Sequence, residues 1–260
     1  MRWPVRYAGN TSVGSYAEGD SGAGAGNQGF KKAFLGWKLN KVEISVTGLA
    51  QADGETGGAI ASPMRGERDP GLADLRDNIN SQLMSDGTGN SGKDITGLFA
   101  AIADSGTYAG LDRGTYTWWK SYVSANGGTP RNLTEELMRD VKSNVENRGG
   151  RVTAIYCGST QWYRYGDLLR SERRQQNPTP LTGGYQALDF EGIPLIKVPG
   201  YPQTRMDFVD ESLLEYVVLK DFEAKPMAKT KDSDVIWITH YSQLVCRNPY
   251  RMGSLQDLAE

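Results

Sequence analysis

The sequence predicts an α+β fold, and three observations carry that prediction. Leu133, Leu137, Val141 and Val145 repeat every four residues between Asn132 and Gly149-Gly150, the apolar stripe of an amphipathic helix. From about residue 185 onward the chain consists of β-type runs: ALDFEGIPLIKV, RMDFV, EYVVLKDFE and DVIWITHYSQLVC. Helices come first and strands later without regular alternation, which favours α+β over a doubly wound sheet.

Residues 1–18 mix Trp3, Val5, Tyr7, Val13 and Tyr16 with Gly and Asn, and read as an extended arm. GDSGAGAGNQG at 19–29 is low-complexity, with the composition of a flexible linker. Val42, Ile44 and Val46 then alternate with Glu43 and Ser45, the pattern of a half-buried strand. Extended segments on both sides of a Gly-rich tip predict a long hairpin. About a dozen residues per side at ~3.3 Å each would reach ~40 Å. A lone ribbon of that length is marginal in water, so it needs a surface to lie on, such as another subunit.

Residues 50–68 are rich in Gly and Ala and have no clear period. Asp69-Pro70 then supplies an N-cap and a first-turn proline. Leu72, Leu75, Ile79 and Leu83 form the stripe of the helix that follows, and Gly87 and Gly89 stop it. Asp94 is placed to cap a short helix carrying Ile95, Leu98, Phe99 and Ile102. Asn132 and Glu135 form a capping-box pattern, and Gly149-Gly150 closes that helix. RVTAIYC (151–157) reads as a strand, and a further helix starts at Ser159 with Trp162, Tyr165, Leu168 and Leu169. Residues 175–184 form a Pro/Gly loop, and the last two β runs form a hairpin turning around 224–233.

Composition excludes several classes. The 260 residues include 29 Lys+Arg and 31 Asp+Glu, for a net charge of −2. A protein whose main task is gripping phosphates carries a basic excess instead. Glycine, at 32 residues, is about 12 % of the chain against an average near 7 %. Six Trp and thirteen Tyr nonetheless indicate a folded body. One histidine (His240) and two cysteines (Cys157 and Cys246) leave too few ligands for a His/Cys zinc site. The cysteines lack CxxC spacing and read as reduced thiols. The first residues have no signal-peptide core, and no apolar run is long enough for a membrane span. The Asn-x-Ser/Thr matches at Asn10 and Asn132 therefore carry no weight.

No catalytic motif rises above its structural reading. GTGNSGKD (87–94) matches a phosphate loop until its last position, where Asp94 replaces the Ser or Thr that would hold magnesium. GAGNQG (24–29) fits GxGxxG, but no strand precedes it and no acidic partner follows. Cys157, His240 and Asn248 can be assembled on paper into a nucleophile set, but His240 lies in a run apolar on both faces and reads as a sheet histidine. GxSxG does not occur. Glu135-Glu136 suits a helix first turn. The ERRQ run at 172–175 and Lys225, Lys229 and Lys231 read as solvated or intersubunit charge. Trp118-Trp119, with Tyr116 and Tyr122, reads as packing rather than base stacking. What remains is a Gly-rich arm, a ribbon that cannot stand alone and an aromatic-rich body, the makings of an assembly protein without enzymatic activity, cofactor or metal.

Several stretches resemble the major capsid proteins of tailed bacteriophages, the HK-ninety-seven-type fold. They are DGTGNSGKDITGLFAAIADSGTYAGLDR (86–113), TYTWWKSYV (115–123), LTEELMRDVKSNVENRGGRVTAIYCGSTQWYRYGDLL (133–169), ALDFEGIPLIKVPGYPQTRMDFVDESLL (187–214) and the closing LVCRNPYRMGSLQDL. Their order and spacing carry the resemblance. It implies an N-terminal arm (1–12), an extended loop (13–47), a peripheral domain with a long spine helix (48–106), an axial domain (107–204), a peripheral β-hairpin (205–245) and an axial C-terminus (246–260). Trp3, Tyr16, Phe30, Phe34, Trp37, Lys225 and Lys229 are the expected intersubunit contacts.

The resemblance further implies pentamers and hexamers of this chain in an icosahedral shell around double-stranded DNA, with no membrane. The shell would be assembled in the host bacterial cytoplasm and become part of the virion. A near-neutral wall suits packaged DNA. Many relatives carry a scaffolding segment before the arm. Here Met1 stands almost on the arm, so either scaffolding is a separate protein or this sequence is not the primary product. A separate scaffolding protein, a portal and a decoration protein are the expected partners. Some relatives cross-link a loop lysine to an Asn. Lys31, Lys32 and Lys38 are available, but the 224–233 turn has no Asn, so no cross-link is expected. The alternatives are an encapsulin, the same fold around a cargo enzyme, and more remotely a hydrolase using Cys157 and His240.

Overall fold

The computed structural model describes residues 1–19, 24–55, 63–169, 188–229 and 231–260. The chain opens with β1 (Arg2–Ala8), paired antiparallel with β2 (Gly29–Phe34) from Arg2↔Phe34 to Ala8↔Gly29. Trp3 and Val5 point inward at alternate positions, with Ala33 opposite. The hairpin is therefore built from 2–34, not from 13–47, and the first residues are a strand rather than a free arm. Pro4 disguised that strand; it is tolerated because β1 lies at an edge, where the missing N–H breaks no ladder.

β3 (Lys38–Thr47) keeps the expected alternation but leaves the ribbon, pairing with β12 through Ile44↔Ile236, Val42↔Ile238 and Asn40↔His240. α1 (Gly48–Glu55) and α2 (Pro63–Leu83) follow. α2 starts six residues before Asp69, with Pro63 itself at its first position, where proline is favoured. Pro70 lies inside the helix. Its absent N–H leaves the Gly66 carbonyl without that partner. Leu75 and Ile79 are buried with Ile44, Ile95 and Ile238.

α3 (Gly89–Gly92) is a single turn with Asn90 and Ser91 in the left-handed region. α4 (Leu98–Ala101) is capped by Gly97, so Asp94 is not a helix cap; Ile95 is buried before the helix begins. β4 (Thr107–Tyr108) and β5 (Leu111–Asp112) make a tight hairpin with both turn residues, Ala109 and Gly110, at positive φ. β6 (Tyr122–Ser124) precedes α5 (Glu135–Asn147). The α5 cap is Thr134, which accepts the Leu137 N–H, rather than Asn132. Its C-terminus closes as expected: Gly149 donates to Glu146 and Gly150 to Val145.

β7 (Ala154–Cys157), α6 (Ser159–Leu168), β8 (Leu188–Phe190), β9 (Ile193–Lys197) and β10 (Met206–Val209) lead to the long strands β11 (Leu214–Pro226) and β12 (Ser233–Cys246), and β13 (Gly253–Leu255) ends the chain. A six-stranded sheet has the order β6-β13-β10-β7-β9-β8, and a three-stranded sheet the order β11-β12-β3. β10, expected with the 205–245 hairpin, belongs instead to the six-stranded sheet, between β13 and β7. Its four residues are buried on both faces, which an edge hairpin could not provide.

Three cores result. Met138, Val141, Val145, Ile155, Leu195 and Phe208 pack α5 on the six-stranded sheet. α2 packs on the three-stranded sheet. Between them, Trp3, Val5, Leu98, Tyr108, Trp119 and Val245 join the hairpin root to both halves. Trp119 is fully buried and donates its indole N–H to the Tyr108 carbonyl at 3.1 Å.

Candidate assembly surfaces

The surface most distinct from the body is the hairpin and the loop beyond it. No described residue from Arg6 to Lys32 is buried. Val13 and Tyr16 are 83 % and 84 % exposed. Asn10 Oδ1 accepts from the backbone and hydroxyl of Ser12, and it lies where a Cβ on Gly26 would stand, so the two sides of the loop touch there. Residues 20–23, within the Gly-rich stretch, lie outside the described residues.

The hairpin is clamped at its root. Met1 and Leu35 exchange backbone hydrogen bonds, and Phe34 N–H donates to the Ala109 carbonyl at 2.9 Å. Tyr7 stacks on Trp118 at 5.2 Å and 17°, and Trp118 contacts Trp119 and Tyr116. Packing accounts for this aromatic run, and Lys31 lies over Tyr116 at 5.4 Å.

The residues expected at subunit contacts divide. Tyr16, Phe30 (57 %) and Phe34 (56 %) are exposed, and Trp37 is half-buried. Trp3 is only 7 % exposed and sits in the central core, so it presents no surface to a neighbour. Lys225, near the end of β11, and Lys229, in the turn to β12, are exposed and paired with Glu223 and Asp234 respectively. Exposed Val218, Leu219 and Met227 lie on β11 and just beyond it, and β11 is an edge strand of its sheet. A free edge of that kind is a template for pairing.

The chemical candidates are not brought together. Cys157 lies in the six-stranded sheet and His240 in the three-stranded one. Burial pushes the Cys157 and Cys246 thiols up to about 12, the wrong direction for a nucleophile. His240 is buried, its Nε2 2.8 Å from the Tyr216 hydroxyl and its ring stacked 4.3 Å from Phe222. Burial holds its pKa below 6.5, and Asp221 at 3.7 Å opposes that only partly. The 87–94 loop follows α2, not a strand. Its Gly92, Lys93 and Asp94 N–H groups donate to Thr88, Asn90 and Gly89 within the loop. Among the described residues no His/Cys/Asp/Glu cluster could hold a metal ion. No helix among them is long and apolar enough to cross a membrane. The ERRQ run and the 175–184 loop lie outside the described residues.

Two buried polar devices escaped sequence reasoning. Arg113, 2 % exposed, donates to the carbonyls of Ala100, Ala101 and Ser105. Asp207, fully buried, accepts the Tyr201 hydroxyl and both carboxylate-directed bonds of Arg205, which also reaches the Ile102 carbonyl at 2.8 Å. Both tie the 98–105 segment to the rest of the body. Asp207, between Met206 and Phe208 in an apolar strand, leaves a trace in sequence; Arg113, in GLDRGT, leaves none.

The family model described as SU10 major capsid protein matches residues 39–259. No curated protein matches the chain. Among solved structures, the capsid asymmetric unit of cyanophage A-1(L) aligns over 100 % of this chain and 88 % of its own, with a TM-score of 0.78 at 17 % identity. The SrpI encapsulin of Synechococcus elongatus PCC 7942 aligns over 99 % and 82 %, with 0.65 at 11 %. The capsid of a native GTA particle aligns over 99 % and 85 %, with 0.65 at 9 %. At these identities the structural likeness establishes the shared fold.

Proposed function

The chain belongs to the SU10 major capsid protein family, and on that premise we propose that it is the repeating subunit of a tailed-phage head, closing as pentamers and hexamers into an icosahedral shell around double-stranded DNA. One observation carries the reading beyond the family: a clamped hairpin whose far loop keeps Val13 and Tyr16 over four-fifths exposed. A ribbon that packs along its length on nothing of its own subunit is marginal alone, and apolar side chains held out on it are placed for contact with another molecule.

In this reading α2 and the three-stranded sheet form the peripheral domain. The six-stranded sheet with α5 and α6 forms the axial domain. The hairpin lies over a neighbour. Scaffolding, portal and decoration proteins are its further partners in this reading. Assembly takes place in the host cytoplasm, and the product is a virion component without enzymatic activity. Weak contacts repeated over closed symmetry stabilise the particle.

The encapsulin fold likeness supports a second reading, a shell around a cargo enzyme. Nuclease treatment of particles purified from producing cells separates them. The phage reading predicts nuclease-resistant double-stranded DNA inside; DNA-free particles filled with a second protein would overturn it.

A further inference from the structure

The C-terminal end of α5 gathers positive charge from three distant parts of the chain. Gly149 and Gly150 close the helix, and Gly150 has no room for a Cβ, which would stand 2.5 Å from the Arg251 carbonyl oxygen. The 249–251 turn therefore lies directly against the helix end, and the Arg251 guanidinium reaches to 3.9 Å from the Cβ position of Gly149. Arg148 stands at the helix cap and donates to the Lys120 carbonyl at 3.1 Å, which fixes Lys120 beside it. Its guanidinium lies 5.2 Å from the Tyr122 ring and 4.8 Å from the Tyr250 ring. Arg151 follows the two glycines and is exposed, as is Arg251, while Lys120 and Arg148 are half-buried.

None of these four cations pairs with a carboxylate among the described residues. Asp112, which feels the Lys120 charge, accepts from the Gly114 and Thr115 N–H groups and the Thr115 hydroxyl, and Asp140 accepts the Tyr122 hydroxyl. The rest of α5 differs: Arg139 pairs with Glu135 and Glu191, and Lys142 with Glu146 and Glu191. One cation answers the dipole of a helix C-terminus. Four at one end, in a chain of net charge −2, exceed that need. Like charges grouped without partners repel one another, so the grouping calls for an anion from outside the subunit. We propose that this end of α5 docks the phosphate backbone of double-stranded DNA and faces the interior of the shell. Guanidinium groups match the geometry of phosphate oxygens, and contacts to phosphates alone read no sequence. The inference rests on the capsid reading, which supplies the DNA.

The test is the salt dependence of binding between the unassembled full chain and a synthetic DNA duplex of mixed sequence. Each phosphate contact adds about 0.9 to the slope of log K against log salt. Arg151→Gln with Arg251→Gln removes two exposed side chains that make no hydrogen bond among the described residues. The double variant should therefore lower the slope by about 2, with its urea midpoint unchanged. Lys231→Gln, in the β11–β12 turn, should leave the slope as it is. A slope that the double variant does not change overturns the docking and leaves the capsid reading standing. Arg151→Cys reads the orientation, because the native thiols are buried and stay silent. A maleimide carried on a bulky polymer should label this variant as dissociated subunits and not in closed particles. Labelling of closed particles puts the surface outside and overturns the proposal. Failure of the unaltered chain to form particles overturns the capsid reading and the interior placement, while the slope alone decides the docking.

Discussion

Replacing Arg113 with Met should destabilise the subunit by about 3 kcal/mol. The guanidinium is 2 % exposed and donates to Ala100, Ala101 and Ser105 at 2.8, 2.7 and 3.1 Å; the fourth contact, to Trp119, is long at 3.4 Å. Met keeps the stem, so the packing near Tyr108 survives, but the Ala100 and Ser105 carbonyls lose their guanidinium donor and the Ala101 carbonyl keeps only the Ser121 hydroxyl at 3.3 Å. Each such loss costs about 1–3 kcal/mol. Against this, the variant no longer buries a cation, a real saving because burial already lowers the Arg113 pKa. Urea unfolding at fixed protein concentration, followed by fluorescence of the neighbouring Trp118 and Trp119, reads the difference. Arg113→Lys should recover only part of the loss, since one ammonium cannot span three carbonyls. A Met variant within about 1 kcal/mol of the original chain would refute the reasoning.

Gly97→Ala should destabilise by about 1–3 kcal/mol. Its Cβ would stand 2.4–2.6 Å from the carbonyls of Gln82, Leu83 and Ser85, which are backbone and cannot swing aside; unfolding curves of the two chains check this. His240 has a folded pKa below 6.5, so the unfolded chain takes up the proton first as pH falls. Stability is whole above about 6.5 and declines below it. His240→Gln should flatten that decline in mildly acid urea titrations, and an identical slope in both chains would contradict the assignment. A thiol probe should label neither Cys157 nor Cys246 natively and both in urea, by mass spectrometry. Mature particles boiled in reductant should run as one band near 28.5 kDa; a persistent covalent ladder would show a cross-link.

Where local signals were strong, the sequence was legible. The α5 stripe, its Gly149-Gly150 stop, the start of α6 at Ser159 and the β11–β12 hairpin all follow from periodicity and turn chemistry. Pairing partners were less legible, because they are set by tertiary packing. β3 has a clean alternation that says nothing about which strand it joins, and it joins β12 across nearly two hundred residues. Pro4 and Pro70 each misled in a different way: one hid a strand and the other displaced a helix start. Of the expected contact residues, Tyr16, Phe30 and Phe34, which flank the Gly-rich stretch, are exposed. Trp3 was expected with them as part of an extended arm, but its alternation with Val5 buries it.

Electron microscopy of the purified protein, with light scattering on the same sample, tests the central claim most directly. A capsid subunit predicts closed particles or five- and six-membered rings. A species that stays monomeric with scaffolding protein and crowding agents added would contradict it.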